Sequence, residues 1–221
     1  MDETHPPLSA TEVRVLGALV EKSIATPDYY PLSLNALTNA CNQLTNREPV
    51  MALEEADVTR AIDRLREQRL AMRYHGAESR IARYKHTLTD AILLTPAEVA
   101  LLCVLMLRGP QTIGELRTRA ERLFKFDTLP EVEETLNALA TRTPGSLVVK
   151  LPRQPGTKES RYTHLLSGPV ETAALAGSAP AETTVPTVDD CAAQLETEIA
   201  ALRHEVAELK AQFAQFKRQF E

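Results

Sequence analysis

Arg83-Tyr84-Lys85-His86-Thr87-Leu88 and Arg161-Tyr162-Thr163-His164-Leu165-Leu166 close two stretches of this chain in almost the same way. Upstream of each, the same elements run in the same order. Ser9-Ala10-Thr11-Glu12 opens the first stretch, and Thr95-Pro96-Ala97-Glu98 opens the second, 86 residues later. Both are capping boxes, in which a hydroxyl and a carboxylate three residues on satisfy reciprocal backbone donors at a helix start. Pro96 sits at the first helical position, where a missing N–H costs nothing. The apolar stripe Val13, Leu16, Leu19, Val20 recurs at the same offset as Val99, Leu102, Leu105, Met106, at helical spacing. The chain therefore carries an internal repeat.

Each first helix is followed by a second and a third. Ser33 precedes a run with Leu37, Ala40, Cys41 and Leu44 on one face, and Thr112 precedes Ile113, Leu116, Ala120 and Leu123. Third helices follow on Val58, Ile62 and Leu65, and on Val132, Leu136 and Leu139. Then come hairpin signals: Leu70–Tyr74, a turn with Gly76, and Arg80–Tyr84; in the second copy Leu147–Leu151, a turn with Pro152, Pro155 and Gly156, and Arg161-Tyr162. Three helices and a β-hairpin form the winged-helix plan, a helix-turn-helix variant whose third helix can enter a DNA major groove. The expected fold is mainly α with small β-hairpins (α+β). Two tandem winged-helix domains are expected over residues 1–90 and 91–167. Two unrelated helical bundles with trailing hairpins would explain the repeat less well.

The rest of the chain reads differently. Residues 168–187 are rich in Ala, Pro, Thr and Ser with no periodicity, as a flexible linker is. Residues 188–221 alternate apolar spacings of four and three from Val188 to Phe220, the seam of a coiled coil. With Leu195, Leu202 and Leu209 at d, Ile199 and Val206 fall at a, a choice that favours a parallel homodimer. Glu198 and Glu205 at g face Arg203 and Lys210 at e. Phe213, Phe216 and Phe220 strain a two-stranded seam, and a helix folding back on the preceding domains is the alternative.

Composition narrows the function. The 221 residues are 43% hydrophobic but only 5% aromatic, without Trp, so the cores are aliphatic. The net charge is −5. Nine acids and four bases lie in 168–221, which leaves residues 1–167 with twenty-one of each. Any nucleic-acid surface must then be a local patch. Cys41, Cys103 and Cys191 are far apart, with neither disulfide-framework nor zinc spacing. The start, Met1-Asp2-Glu3-Thr4-His5-Pro6-Pro7, has no signal-peptide pattern. The apolar run Val99–Leu107 is about half the ~20 residues of a membrane span. A cytoplasmic protein without membrane contact is expected.

No catalytic constellation stands out: no phosphate-cradling Gly-rich loop, no HExxH and no G-x-S-x-G. An enzyme is not expected, and no cofactor or metal is implied. Local charge points instead to duplex DNA. The third helix of the first copy offers Arg60 and Arg64 beside Thr59, Asp63 and Glu67. Its hairpin adds Arg73, Arg80, Arg83 and Lys85, and strand alternation turns Arg83 and Lys85 away from the Tyr84 face. Such groups grip phosphates while a helix meets base edges. A solvated mixed-charge surface would carry the same residues. In the second copy the third helix presents Glu131, Glu133, Glu134 and Asn137, which repel phosphate and suit a protein partner. Its hairpin remains basic through Lys150, Arg153, Lys158 and Arg161, as do Arg117, Arg119, Arg122 and Lys125 near its second helix.

Ala40-Cys41-Asn42-Gln43, Asn46-Arg47-Glu48-Pro49-Val50, Arg108-Gly109-Pro110-Gln111-Thr112, Glu115–Arg122 and Leu151–Gly156 together resemble the YceH-like family of bacterial proteins. The resemblance covers about Leu8 to Leu166. It implies tandem winged helices and no particular activity. The Asn46–Val50 motif lies in an unusually long turn between second and third helices. There Arg47 either contacts DNA or a partner, or, as is favoured, bridges to a nearby acid while Asn46 and Pro49 shape the turn. The functional expectation is a DNA-binding protein of transcription-regulator type; the alternative is an interaction scaffold built on tandem winged helices, with a protein partner at the second copy. An effector pocket between the copies is a third reading, for which the sequence identifies no ligand.

Overall fold

A computed structural model describes residues 6–74, 82–143, 145–153 and 159–170. The coiled-coil seam expected at Leu195, Ile199, Leu202, Val206 and Leu209 lies outside the described residues, as do most of the linker and the candidates Arg80 and Lys158. Over the described residues the chain is mainly helical with small antiparallel sheets, an α+β arrangement.

The first half runs α1 (Ala10–Ala25), a 3-10 turn (Pro27–Tyr29), β1 (Leu32–Ser33), α2 (Leu34–Cys41), α3 (Glu55–Glu67), β2 (Ala71–Tyr74) and β3 (Arg83–His86). After a short α4 (Leu88–Ala91), the second half runs α5 (Pro96–Arg108), α6 (Ile113–Ala120), α7 (Leu129–Thr141), β4 (Val148–Lys150) and β5 (Tyr162–His164). Both expected capping boxes form: Glu12 N–H donates to Ser9 Oγ at 3.3 Å, and Glu98 N–H to Thr95 Oγ1 at 3.3 Å, each carboxylate answering the cap backbone. Ser33 caps α2, and Thr112 caps α6 with Glu115 completing a further box. The stripes of the third helices, Val58, Ile62 and Leu65 and then Val132, Leu136 and Leu139, are buried.

Three local expectations change. Leu44 does not continue the face of α2; the helix stops at Cys41 and Leu44 is 81% exposed. Among the described residues the second strand of the first hairpin is Arg83–His86, running two residues past the expected end at Tyr84, and pairs Ala71 with His86 through Tyr74 with Arg83. A third strand also joins: β1 pairs Leu32 with Tyr84 and Ser33 with Arg83, which makes β3 the central strand. The second half repeats this in reduced form. Gln111 bridges Tyr162, with Gln111 N–H to Tyr162 O at 3.0 Å and the reverse bond at 2.7 Å. In each half the residue before the α2-type N-cap thus pairs with the tyrosine of Arg-Tyr-x-His.

The two first helices pack on each other. Buried residues run continuously from Val13 to Val20 in α1 and from Glu98 to Leu107 in α5. A helix apolar on every side is one enclosed on every side. One face of α1 meets α2 and α3, one face of α5 meets α6 and α7, and their other faces meet each other. Gly17 and Cys103 occupy equivalent positions in the repeat, and they touch: Cys103 Sγ approaches Gly17 O at 3.5 Å. Equivalent residues meeting across a seam are the signature of an isologous, two-fold contact, here within one chain. The apolar residues of both halves form one core, and the described residues belong to one compact unit.

Candidate nucleic-acid interface

The buried stripe of α3 fixes which side chains its outer face presents. Arg60, Asp63, Arg64, Arg66 and Glu67 are exposed there. Every one of these arginines meets an acid on its own helix: Arg60 with Asp57 at 2.5 Å, Arg64 with Glu67 at 3.7 Å, Arg66 with Asp63 at 2.8 Å. Such exposed pairs are worth about 0–1 kcal/mol and exchange readily for a phosphate. The face is nonetheless one of mixed charge rather than a free cationic ridge.

The hairpin residues are placed differently from their sequence reading. Arg83 is exposed, but its Nη1 donates to Pro31 O at 3.0 Å. Arg161, its counterpart in the repeat, donates from Nη1 to Pro110 O at 2.9 Å and to Glu115 Oε2 at 3.0 Å. Pro31 and Pro110 each lie two residues before a helix N-cap. In both halves the arginine of Arg-Tyr-x-His therefore clamps the last strand to the start of the second helix. Arg161 differs from Arg83 in meeting a carboxylate as well as a carbonyl, both through Nη1. Lys85 is half-buried rather than turned freely to solvent; on the central strand it stands opposite Met72, with neighbours along both edges to cover its stem. Arg73 and Arg153 are exposed.

The histidines of the repeat support the sheets from inside. His86 Nε2 lies 3.0 Å from Ser23 Oγ, and the His86 N–H donates to Tyr30 Oη at 2.7 Å. Burial holds the His86 ring below the usual histidine range despite nearby Asp90, and holds His164 down to about 4. Burial pushes the Cys41 thiol up to about 12, and Cys103 is fully enclosed, so neither is poised as a thiolate.

In the second half, α7 exposes Glu133, Glu134 and Asn137. Glu131 is not part of that free acidic face: its Oε2 accepts from Asp127 N–H at 2.9 Å, and its own N–H donates to Thr128 Oγ1 at 3.3 Å, closing the helix start. Glu115 is the charge centre of α6. Partial burial works to raise its pKa, but the Thr112 backbone bond, Arg161 and Arg119 outweigh it and hold the carboxyl below its ordinary value. Arg117 spans to Phe126 O and Asp127 O at 3.3 and 2.8 Å.

The Asn46–Val50 turn resolves in favour of a bridge to an acid. Arg47 is buried, and its guanidinium meets Glu21 through Nη1–Oε1 at 3.2 Å and Nη2–Oε2 at 2.6 Å. It also donates to Ala40 O and to Gln43 Oε1. Arg14, which sequence reasoning passed over, is 2% exposed; it donates to Cys41 O at 3.1 Å and Pro49 O at 2.6 Å. The available signal was a lone arginine inside the apolar run Val13–Val20. From the same turn, Glu48 N–H donates to Leu107 O at 2.9 Å, and Asn46 Oδ1 accepts from Arg108. The turn thereby ties α1, α2 and the end of α5 together.

The family described as a protein of unknown function, DUF480, matches residues 8–157. This chain belongs to the DUF480 family. Its relatives carry the name UPF0502 protein. One from Opitutus terrae is 53% identical over 91% of this chain and 86% of its own length. One from Geobacter sulfurreducens is 53% identical over 88% and 90%, and one from Vibrio vulnificus 49% over 89% and 92%. The YceH-like resemblance agrees with this membership. The DUF480 match takes in the Arg47 turn, all the longer helices and β4, and ends before β5. Among the described residues, no helix of this DUF480 protein is long and apolar enough to cross a membrane.

Proposed function

We propose that the two halves are winged-helix units and that the protein binds duplex DNA as a regulator-type protein of the cytoplasm, dimerised through residues 188–221. The observation that carries this reading is the placement of α3. Its Val58–Ile62–Leu65 stripe is locked into the core while Arg60 and Arg64 stand exposed on the outer face, in a unit whose hairpin carries the exposed Arg73 and Arg83. A helix fixed by its inner face, with a cationic strand pair in the same unit, suits a groove and its flanking phosphates. No catalytic role is assigned.

The second half supports a different use. Glu133 and Glu134 project from α7, and Arg161 is engaged by Glu115 and Pro110. A protein partner docking on α7 is the second reading. Fluorescence anisotropy with mixed-sequence duplex DNA at rising salt tests the first. Binding at low salt whose log Kd climbs linearly with log salt is expected. The double variant Arg60→Gln/Arg64→Gln should weaken it about tenfold or more, while Arg161→Gln should leave it nearly unchanged. No binding at low salt overturns the DNA reading, and stoichiometric capture of a protein partner, lost on Glu133→Lys/Glu134→Lys, would establish the second.

A further inference from the structure

A polar cleft of about 850 Å³ opens where α1, the Asn46 turn, the end of α5 and α6 converge. Its size falls in the range of small-molecule sites, about 300–1,000 Å³. Its charged lining consists of Lys22, Arg108, Arg119 and Arg122 against Glu21 and Glu121. Glu21 is engaged by the buried Arg47 at 2.6 Å and lies 3.8 Å from Lys22, so the cationic character of the cleft rests mainly on its three arginines. This is a concentrated positive site in a chain whose net charge is −5.

The arginines are held without enough acid. Among the described residues Arg108 makes no ion pair, and its side-chain partner is the neutral Asn46. Arg119 donates to Gln111 Oε1 and lies 3.6 Å from Glu115 Oε1, but that carboxylate is more closely held by Arg161. Arg122 is exposed. Arg108 is pushed below its ordinary pKa by burial first and by the nearby Arg119 charge next, against the opposing pull of Glu48 and Glu21. Basic residues often sit in last helical turns, where they offset the macrodipole. That accounts for Arg108 and Arg119 singly; it does not explain why they and Arg122, which lies beyond α6, line one cavity. Guanidinium forks match the oxygens of a phosphate bidentately, and several donors converging on one anion is how such groups are recognised.

We propose that this cleft binds a small phosphate-bearing molecule through Arg108, Arg119 and Arg122, assisted by Lys22. The inference stands independently of the DNA reading, because none of these residues lies on α3 or the hairpins. A ligand here would touch α1, α5, α6 and the Arg47 turn at once, the elements that join the two halves.

Isothermal titration of the full chain with inorganic phosphate and with pyrophosphate, at ionic strength matched by chloride, tests it. Saturable binding of pyrophosphate at one site per chain, with a higher Tm than in chloride, is expected. Arg122→Gln, an exposed position, and Arg108→Gln should each weaken it about tenfold or more, with Arg108→Lys recovering part, while Arg60→Gln leaves it unchanged. Should Arg108→Gln fail to fold, Arg122→Gln decides. Absence of saturable binding, or binding indifferent to Arg122→Gln, overturns the proposal. So does a result in which Arg122→Gln lowers affinity for duplex DNA but pyrophosphate does not bind, since the cleft would then be part of a nucleic-acid surface.

Discussion

The two halves connect their second and third helices in opposite ways. In the first, the connection between α2 and α3 folds inward on two buried guanidiniums, Arg14 and Arg47, with Glu21 as counter-charge. In the second, the shorter connection between α6 and α7 is clasped from outside by the exposed Arg117, while Phe124 and Phe126 pack edge to face at 4.8 Å. The same helical plan thus tolerates a charged interior clamp in one copy and an aromatic one in the other. Because the first clamp also reaches Leu107 O and Arg108, it belongs to the seam between the halves as well as to its own half.

The largest effect should come from breaking the interior clamp. Arg47→Met takes the closest counter-charge from the half-buried Glu21, leaving Lys22 at 3.8 Å, and strips the Ala40 carbonyl of the buried guanidinium's donors. Removing one partner of a buried pair costs about 3–5 kcal/mol. Urea denaturation followed by circular dichroism should show a loss of that order. The double variant Arg47→Met/Glu21→Leu should recover much of it, because an apolar replacement of both partners relieves the unpaired charge. A loss below about 1 kcal/mol, the scale of an exposed pair, would erase the distinction between the two connections.

The equivalent histidines sharpen the comparison through pH. Both rings bury an Nδ1 that has no hydrogen-bond partner among the described residues, but His86 Nε2 meets Ser23 Oγ at 3.0 Å, and burial holds the His164 ring to about 4. A folded-state pKa below the unfolded value of ~6.5 means that the unfolded chain takes up the proton first. Stability from His164 is therefore complete above about 6.5 and drains away as pH falls toward 4, by on the order of 3 kcal/mol. His164→Gln should flatten the stability profile between pH 7 and about 4 more than His86→Gln does. Equal slopes for the two variants would mean that the second half is no drier around its histidine than the first.

The repeat, the caps and the inner stripes were legible because each is a short-range pattern: a hydroxyl three residues before a carboxylate, or apolar residues at helical spacing. The seam between the halves was not. The stripe Val13, Leu16, Leu19, Val20 shows the face of α1 toward its own half, but Val15 and Ala18 are equally buried. The uninterrupted run Val99–Leu107 carried the same information and reads only as too short for a membrane when taken alone. Arg83 and Arg161 were legible as cations but not as clamps, because Pro31 and Pro110 lie 52 and 51 residues away in sequence. The seam has its own test. A Cβ on Gly17 would stand 2.9 Å from Leu107 Cδ2 and 3.1 Å from Met106 Cβ. Overpacking costs about 1–3 kcal/mol and the better helix propensity of alanine returns up to about 1, so Gly17→Ala should lose about 1 kcal/mol net. A gain in Tm would show that the two first helices do not meet this closely.

The smallest effect should come from the outer clamp. Arg117 is exposed, and its two acceptors, Phe126 O and Asp127 O, lie where water can replace the guanidinium. Arg117→Ala then gives up hydrogen bonds whose net worth is about 0.5–1 kcal/mol in all, with Phe126 still buried beneath the connection. The chemical denaturation midpoint should shift accordingly, with an unchanged slope. The contrast with Arg47→Met is the measurement that matters, because each variant removes one arginine that holds the connection between second and third helices, Arg47 from within the turn and Arg117 from the helix before it. If Arg117→Ala proves as costly as Arg47→Met, burial does not set the difference, and the second connection depends on its arginine as fully as the first.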